Sequence, residues 1–162
     1  MNVKTLFVAV VVLLTAYSFT IGYGITLTAS SERPAPGQTT CVDITATSFN
    51  DVVSMQYTLK WEKNVLKFKE VKPGKLPGLS EHNFGTRFAE DGKLTHSWYD
   101  MNVRGISVPD GATLYTVCYD VIGKSGDKAY IQFTSHPTIT EITNVRGEFL
   151  DLTGMSGKVQ VK

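Results

Sequence analysis

The stretch VSMQYTLKWE, residues 53–62, alternates without a break. Val53, Met55, Tyr57, Leu59 and Trp61 fall on one side, and Ser54, Gln56, Thr58, Lys60 and Glu62 on the other. A period of two kept over this length fits a strand with one buried and one wet face. It does not fit a helix, whose apolar stripe returns every three to four residues. The same period returns in CVDITA, VLKFKEV, KLTHSWYD, LYTVCYDVIG, YIQFTS and KVQVK. Between these runs lie RPAPGQ, KPGKLPG, EDGK, VPDG and GKSGDK, which carry the Gly, Pro and Asp of turns. No segment keeps an apolar stripe at helical spacing. The chain is therefore predicted to be all-β, a sandwich of eight or nine short strands. With 42% apolar and 19% charged residues it can fill one core and is not a disordered sequence.

Residues 1–24 read as a secretory signal peptide. Lys4 precedes an apolar run from Thr5 to Ile21, and small residues follow up to Gly22 and Gly24. An uncleaved anchor is the alternative, since the run is at the short end of the roughly 17–25 residues that span a bilayer. The folded domain is placed at 25–162 and is expected to be secreted, or to sit at the cell surface if anchored. Loss of the leader removes only Lys4 and leaves the 15 acidic side chains matched by as many basic ones. Such a balance excludes long-range attraction to a phosphate backbone, so no nucleic-acid partner is expected. Membrane contact is expected only through an uncleaved leader.

Two cysteines, Cys41 and Cys118, each lie in an alternating strand. In CVDITA the even positions point inward and in LYTVCYDVIG the odd ones do, so both thiols fall on outer faces. If the two strands are neighbours, the thiols meet across the ladder within reach of a disulfide. Two free thiols, or a bridge between molecules, are the alternatives. An export signal favours oxidation.

Order and spacing of motifs add a family resemblance. PGQTTCVDITATSFNDVVSMQYTLKWEKNVLKFKEV resembles the first half of a cohesin domain. Within it, WEKNVLKF is similar to that family's aromatic–aspartate–proline–x–x–leucine–x–phenylalanine pattern, with Glu62 and Lys63 in place of the aspartate and proline. LPGLSEHNFG, GKLTHSWYDMN, VPDGATLYTVCYDVIG and PTITEITNVRGEFLDLTGMSGKVQVK resemble the second half, in the cysteine-paired variant of large secreted Bacteroidetes proteins. The resemblance implies a nine-stranded jelly-roll β-sandwich whose second and seventh strands are adjacent, which joins Cys41 to Cys118. It also implies a partner, the dockerin, gripped by a flat face made of the third, fifth, sixth and eighth strands. Carried over by position, that face presents Gln56, Thr58 and Lys60 on the third strand and Arg87 on the fifth. Thr95, Ser97 and Tyr99 belong to the sixth, and Tyr130, Gln132 and Thr134 to the eighth.

Nothing in the chain marks out catalysis. His82, His96 and His136 have no zinc-ligand spacing, and no nucleophile elbow is present. His82 and His136 read as loop and turn, and His96 as a histidine at the core edge that finds a hydrogen bond. Glu81, Glu90, Asp91 and Asp100 read as solvated loop charge. Asp43 and Asp120 read as outward residues for solubility and edge protection. No enzyme activity, cofactor or metal is expected. The predicted function is a secreted binding module for a dockerin-type protein in an extracellular polysaccharide-degrading or adhesive assembly. The alternative is a module that binds polysaccharide directly, although Trp61 and Trp98 point inward, away from any flat sugar platform.

Overall fold

The computed structural model describes residues 24–162. The signal peptide expected over 1–24 lies outside these residues except for Gly24, which opens the first strand. In chain order the strands are β1 (Gly24–Ala29), β2 (Thr39–Thr47), β3 (Val52–Lys60), β4 (Leu66–Pro73), β5 (Phe84–Gly85) and β6 (Lys93–Tyr99). They continue as β7 (Ala112–Val121), β8 (Lys128–Thr134), β9 (Glu141–Asn144), β10 (Asp151–Met155) and β11 (Gly157–Gln160). One sheet has the order β10-β1-β2-β7-β4, and the second β11-β8-β3-β6-β5, with β9 also on β3. The two sheets close a jelly-roll sandwich over a core that includes Leu27, Ile44, Tyr57, Leu59, Trp98, Val117 and Ile131.

Eleven strands stand where nine were expected, because the alternation rule passes over β9 and β10. β9 is a short strand on the part of β3 that β8 leaves free: β8 pairs Thr58 to Lys60, and β9 pairs Val52 to Gln56. β10 has no fully buried residue, so it carries no period-two signal. It pairs in parallel with β1, and after Ser156 the chain crosses to the other sheet as β11. One near-continuous extended run thus belongs to both sheets.

The alternation itself holds in the centre. Met55, Tyr57 and Leu59 are buried, as are Trp61 and Trp98, whose indole N–H groups donate to the carbonyls of Leu66 (2.9 Å) and Pro77 (2.8 Å). At the start of β3 an irregularity in its pairing with β9 puts Val52 in the core and leaves Val53 half-buried. Glu62, which replaces the family's aspartate, accepts the Tyr130 amide on Oε2 at 2.6 Å and fixes the end of β3 against β8.

Cys41 and Cys118 are directly opposed on β2 and β7 and form a disulfide. The expected placement on the outer face is correct in parity, yet Cys118 is fully buried and Cys41 only half-exposed. Cys118 has a ladder partner on each side, Cys41 of β2 and Glu70 of β4, whereas the pairing of β1 with β2 stops at Ile44 and leaves Cys41 open on that side. Position in the sheet also corrects the reading of Asp43 and Asp120 as edge protection: β2 and β7 are interior strands. The Asp43 carboxylate accepts the Thr116 hydroxyl at 2.6 Å. Asp120 accepts the Thr39 hydroxyl at 2.7 Å and pairs with Lys69 at 3.1 Å, and these two partners hold its carboxyl below the usual range.

His96 departs further from expectation. Its imidazole is buried between Tyr57, Phe84 and Tyr115, with centroids 4.9, 4.9 and 5.4 Å away. Neither ring nitrogen has a hydrogen-bond partner among the described residues. Alternation specifies which face a residue takes but not what its neighbours offer, and here they offer ring faces. Burial pushes the imidazole down to about 3, so it stays neutral.

Candidate functional site

The outer face of the β11-β8-β3-β6-β5 sheet is organised in rows across β3. Tyr99 of β6, Ser54 of β3 and Thr143 of β9 form the first, with Ser54 and Thr143 hydroxyls 2.7 Å apart. Ser97, Gln56 and Glu141 form the second, and Thr95, Thr58 and Thr134 the third. Lys93, Lys60 and Gln132 form the fourth. Further along, Tyr130 stands opposite Lys158 of β11. Because opposed residues in a ladder share a face, each row is one step of a continuous surface.

Most of the expected face residues are brought together in these rows. Lys60, Ser97, Tyr99, Tyr130 and Gln132 are exposed, and Gln56, Thr95 and Thr134 are half-buried. Two require correction. Thr58 is fully buried although it points outward. The β8–β9 connection passes over it, and its hydroxyl donates to the Thr138 carbonyl (3.3 Å) and accepts the Thr138 amide (3.2 Å). Arg87 is not on the fifth strand: β5 ends at Gly85, and Arg87 sits in the following turn with its guanidinium 5.5 Å from the Phe88 ring centroid. β5 is cut short beside Thr95, whose hydroxyl donates to the Gly85 carbonyl at 3.3 Å. A Cβ at Gly85 would meet that hydroxyl oxygen at 2.3 Å, so glycine is what allows this contact.

Sequence reasoning missed three parts of the face. Glu141 and Thr143 lie on β9, which was not foreseen. Glu141 closes a pit of about 90 Å³ with Ser54, Gln56, Ser97 and Tyr99, floored by Met55 and Trp98. The third part is the loop after β6. Its anchor, Asp100, is not solvated loop charge: it is 6% exposed. Its carboxylate accepts the amides of Asn102 (3.0 Å), Arg104 (2.8 Å) and Gly105 (3.0 Å). The Asn102 amide leads in holding the carboxyl below its usual range, aided by Arg104 and Gly105. Within this loop Val103 adopts φ 52°, a left-handed conformation that a β-branched residue seldom takes, and stands 70% exposed beside Met101 at 80%. The spacing of Asp100 before Asn102, Arg104 and Gly105 was the available signal for a capped turn.

The surface has the makings of a contact face rather than a reaction centre. Among the described residues no three His, Cys, Asp or Glu side chains are placed to share a metal ion. Nor do the two exposed tyrosines of this face form a coplanar platform. Tyr99 is level with Ser54 and Tyr130 lies beyond Lys60, roughly 25 Å apart along the sheet.

Comparison with known proteins agrees with this geometry. The family model for the cohesin domain matches residues 24–161. A cohesin of Clostridium thermocellum OlpA, solved in complex with Doc918, is similar at 16% identity and a TM-score of 0.72, over 86% of this chain and 99% of that one. The sixth cohesin of Acetivibrio cellulolyticus scaffoldin B, solved with a variant Cel5 dockerin, gives 18% identity and 0.71 over 86% and 99%. A non-cellulosomal cohesin of the archaeon Archaeoglobus fulgidus gives 20% and 0.68 over 86% and 91%. Among curated proteins no sequence matches.

Proposed function

Because this chain belongs to the cohesin family, whose domains are non-catalytic protein-binding modules, we propose that it captures a dockerin-type module on the outer face of the β11-β8-β3-β6-β5 sheet. The capture takes place outside the cytoplasm, in an extracellular polysaccharide-degrading or adhesive assembly. The observation that carries the reading is the face itself: exposed Tyr99 on a rigid strand, beside a pit and a row of hydroxyl and amide groups. Tyrosine supplies contact area with little conformational entropy to lose, and the pit can seat one partner side chain. Similar cohesins solved in complex with dockerins support the partner class. The Cys41–Cys118 bridge supports an oxidising compartment.

The reading is tested by titrating the purified domain with a panel of dockerin modules in a calorimeter. At least one is expected to bind. Tyr99→Ala and Ser97→Arg should weaken that binding tenfold or more, while Lys67→Glu on the opposite sheet leaves it unchanged. The proposal fails if no dockerin in a broad panel binds, or if both face variants bind as tightly as the parent.

A further inference from the structure

The face carries opposite, unpaired charge at two points along β3. At the first, Gln56 is opposed by Ser97 on one side and Glu141 on the other, and Glu141 forms a wall of the pit. At the second, Lys60 and Lys93 stand directly opposite each other. Directly opposed residues in an antiparallel pair have Cβ atoms about 4.5–5.5 Å apart, and like charges there are destabilising. None of these three side chains belongs to an ion pair among the described residues; the four that form involve Lys63, Lys69, Lys72 and Arg146. The nearby Glu62 carboxylate is engaged by the Tyr130 amide. Lys158, opposite Tyr130, extends the cationic end. A sheet face that leaves two opposed ammonium groups uncompensated gains from any partner that brings a carboxylate to them.

Resting on the dockerin reading above, we infer that this face takes its partner in one direction only: a partner cation enters the Glu141 pit, and a partner carboxylate bridges Lys60 and Lys93. The two poles are four residues apart on β3, about 13 Å. That exceeds the screening length of about 8 Å at physiological salt, so each pole selects its own counter-charge. The pit suits a cation because Glu141 supplies a carboxylate to its wall, beside the neutral side chains of Ser54, Gln56 and Ser97. A second copy of the chain would also match the poles, Glu141 of one on the lysines of the other. The two-fold axis would then fall near Thr58, where the Thr138 segment already covers the sheet in both copies and the two segments would collide.

A yeast-displayed library of dockerin modules, panned against the disulfide-bonded domain, provides the probe. The tightest binder is then measured against Lys60→Glu/Lys93→Glu, Glu141→Lys and the control Lys67→Glu, with unchanged near-UV circular dichroism as the folding check. Each face reversal should weaken binding at least tenfold and the control less than twofold. Reversing a carboxylate of the binder should restore affinity for the Lys60→Glu/Lys93→Glu variant. Affinities within twofold of the parent in both reversals, with Tyr99→Ala still disruptive, would overturn the inference and leave the dockerin reading standing. A library without binders would remove both. A dimer seen by sedimentation velocity and abolished by Glu141→Lys would overturn it in favour of the second copy.

Discussion

The hydroxyls of Tyr57 and Tyr115 meet at 2.6 Å in the middle of the sandwich, one side chain from each sheet. Both rings are buried, and burial pushes each phenol upward. The bond is a polar tie between the two sheets. Tyr57→Phe or Tyr115→Phe leaves one buried hydroxyl without its partner and should cost about 1–3 kcal/mol. The double replacement should cost less than the sum of the two, since it leaves no orphan. Urea unfolding midpoints of the four proteins give the cycle.

His96 makes stability depend on pH. Its folded pKa, about 3, lies below the ordinary value of 6.5 because burial disfavours the cation. Below pH 6.5 the unfolded chain takes up a proton that the folded chain refuses. The contribution is therefore complete above pH 6.5 and is lost as pH falls towards 3. By pH 5 the loss is about 2 kcal/mol. His96→Phe places a ring of similar size among Tyr57, Phe84 and Tyr115 with no nitrogen to satisfy. It should be at least as stable as the parent at pH 7.5 and should lose less between pH 7.5 and 5.

The disulfide closes a separation of 77 residues. On the chain-entropy account it contributes on the order of 4 kcal/mol. Cys41→Ala/Cys118→Ala should lower the unfolding free energy by roughly that amount while keeping the fold. Because Cys118 is fully buried, its thiol in the reduced protein should resist alkylation until denaturant is added, which mass spectrometry reads directly.

Asp100 should control the order of the loop that it caps. Asp100→Ala removes the acceptor for the amides of Asn102, Arg104 and Gly105. Hydrogen exchange at those three amides should accelerate, with β6 unaffected. Its lowered pKa gives stability that is present above the ordinary carboxylate range and is lost as pH falls through and below it.

The sandwich and its core were legible because they depend on alternation, which places Met55, Tyr57 and Leu59 of β3 and Tyr115, Val117, Tyr119 and Val121 of β7 in the core. The neighbour relation of Cys41 and Cys118 was legible because parity and the family's strand order both lead to it. What escaped has a common cause. Thr58 has an outward position, but whether it meets solvent depends on a loop 80 residues away. Arg87 was assigned by counting along a strand that stops after two residues. Glu141 stands on a four-residue strand whose partner, β3, lies far off in sequence. Local pattern determines which way a side chain points; coverage is decided by segments that pattern does not connect to it.

The parallel pairing of β1 with β10 places Gly24 beside Asp151, while the chain end runs on through β11 to Lys162, whose amide donates to the Pro34 carbonyl. Gly24 and Lys162 therefore sit at opposite ends of the sandwich, roughly 30 Å apart at the rise of an extended chain. Tension applied between these two points runs along the strands, so β1 and β10 are loaded in shear. Their five aligned pairs, Gly24–Asp151 to Thr28–Met155, would have to yield together rather than peel apart in turn.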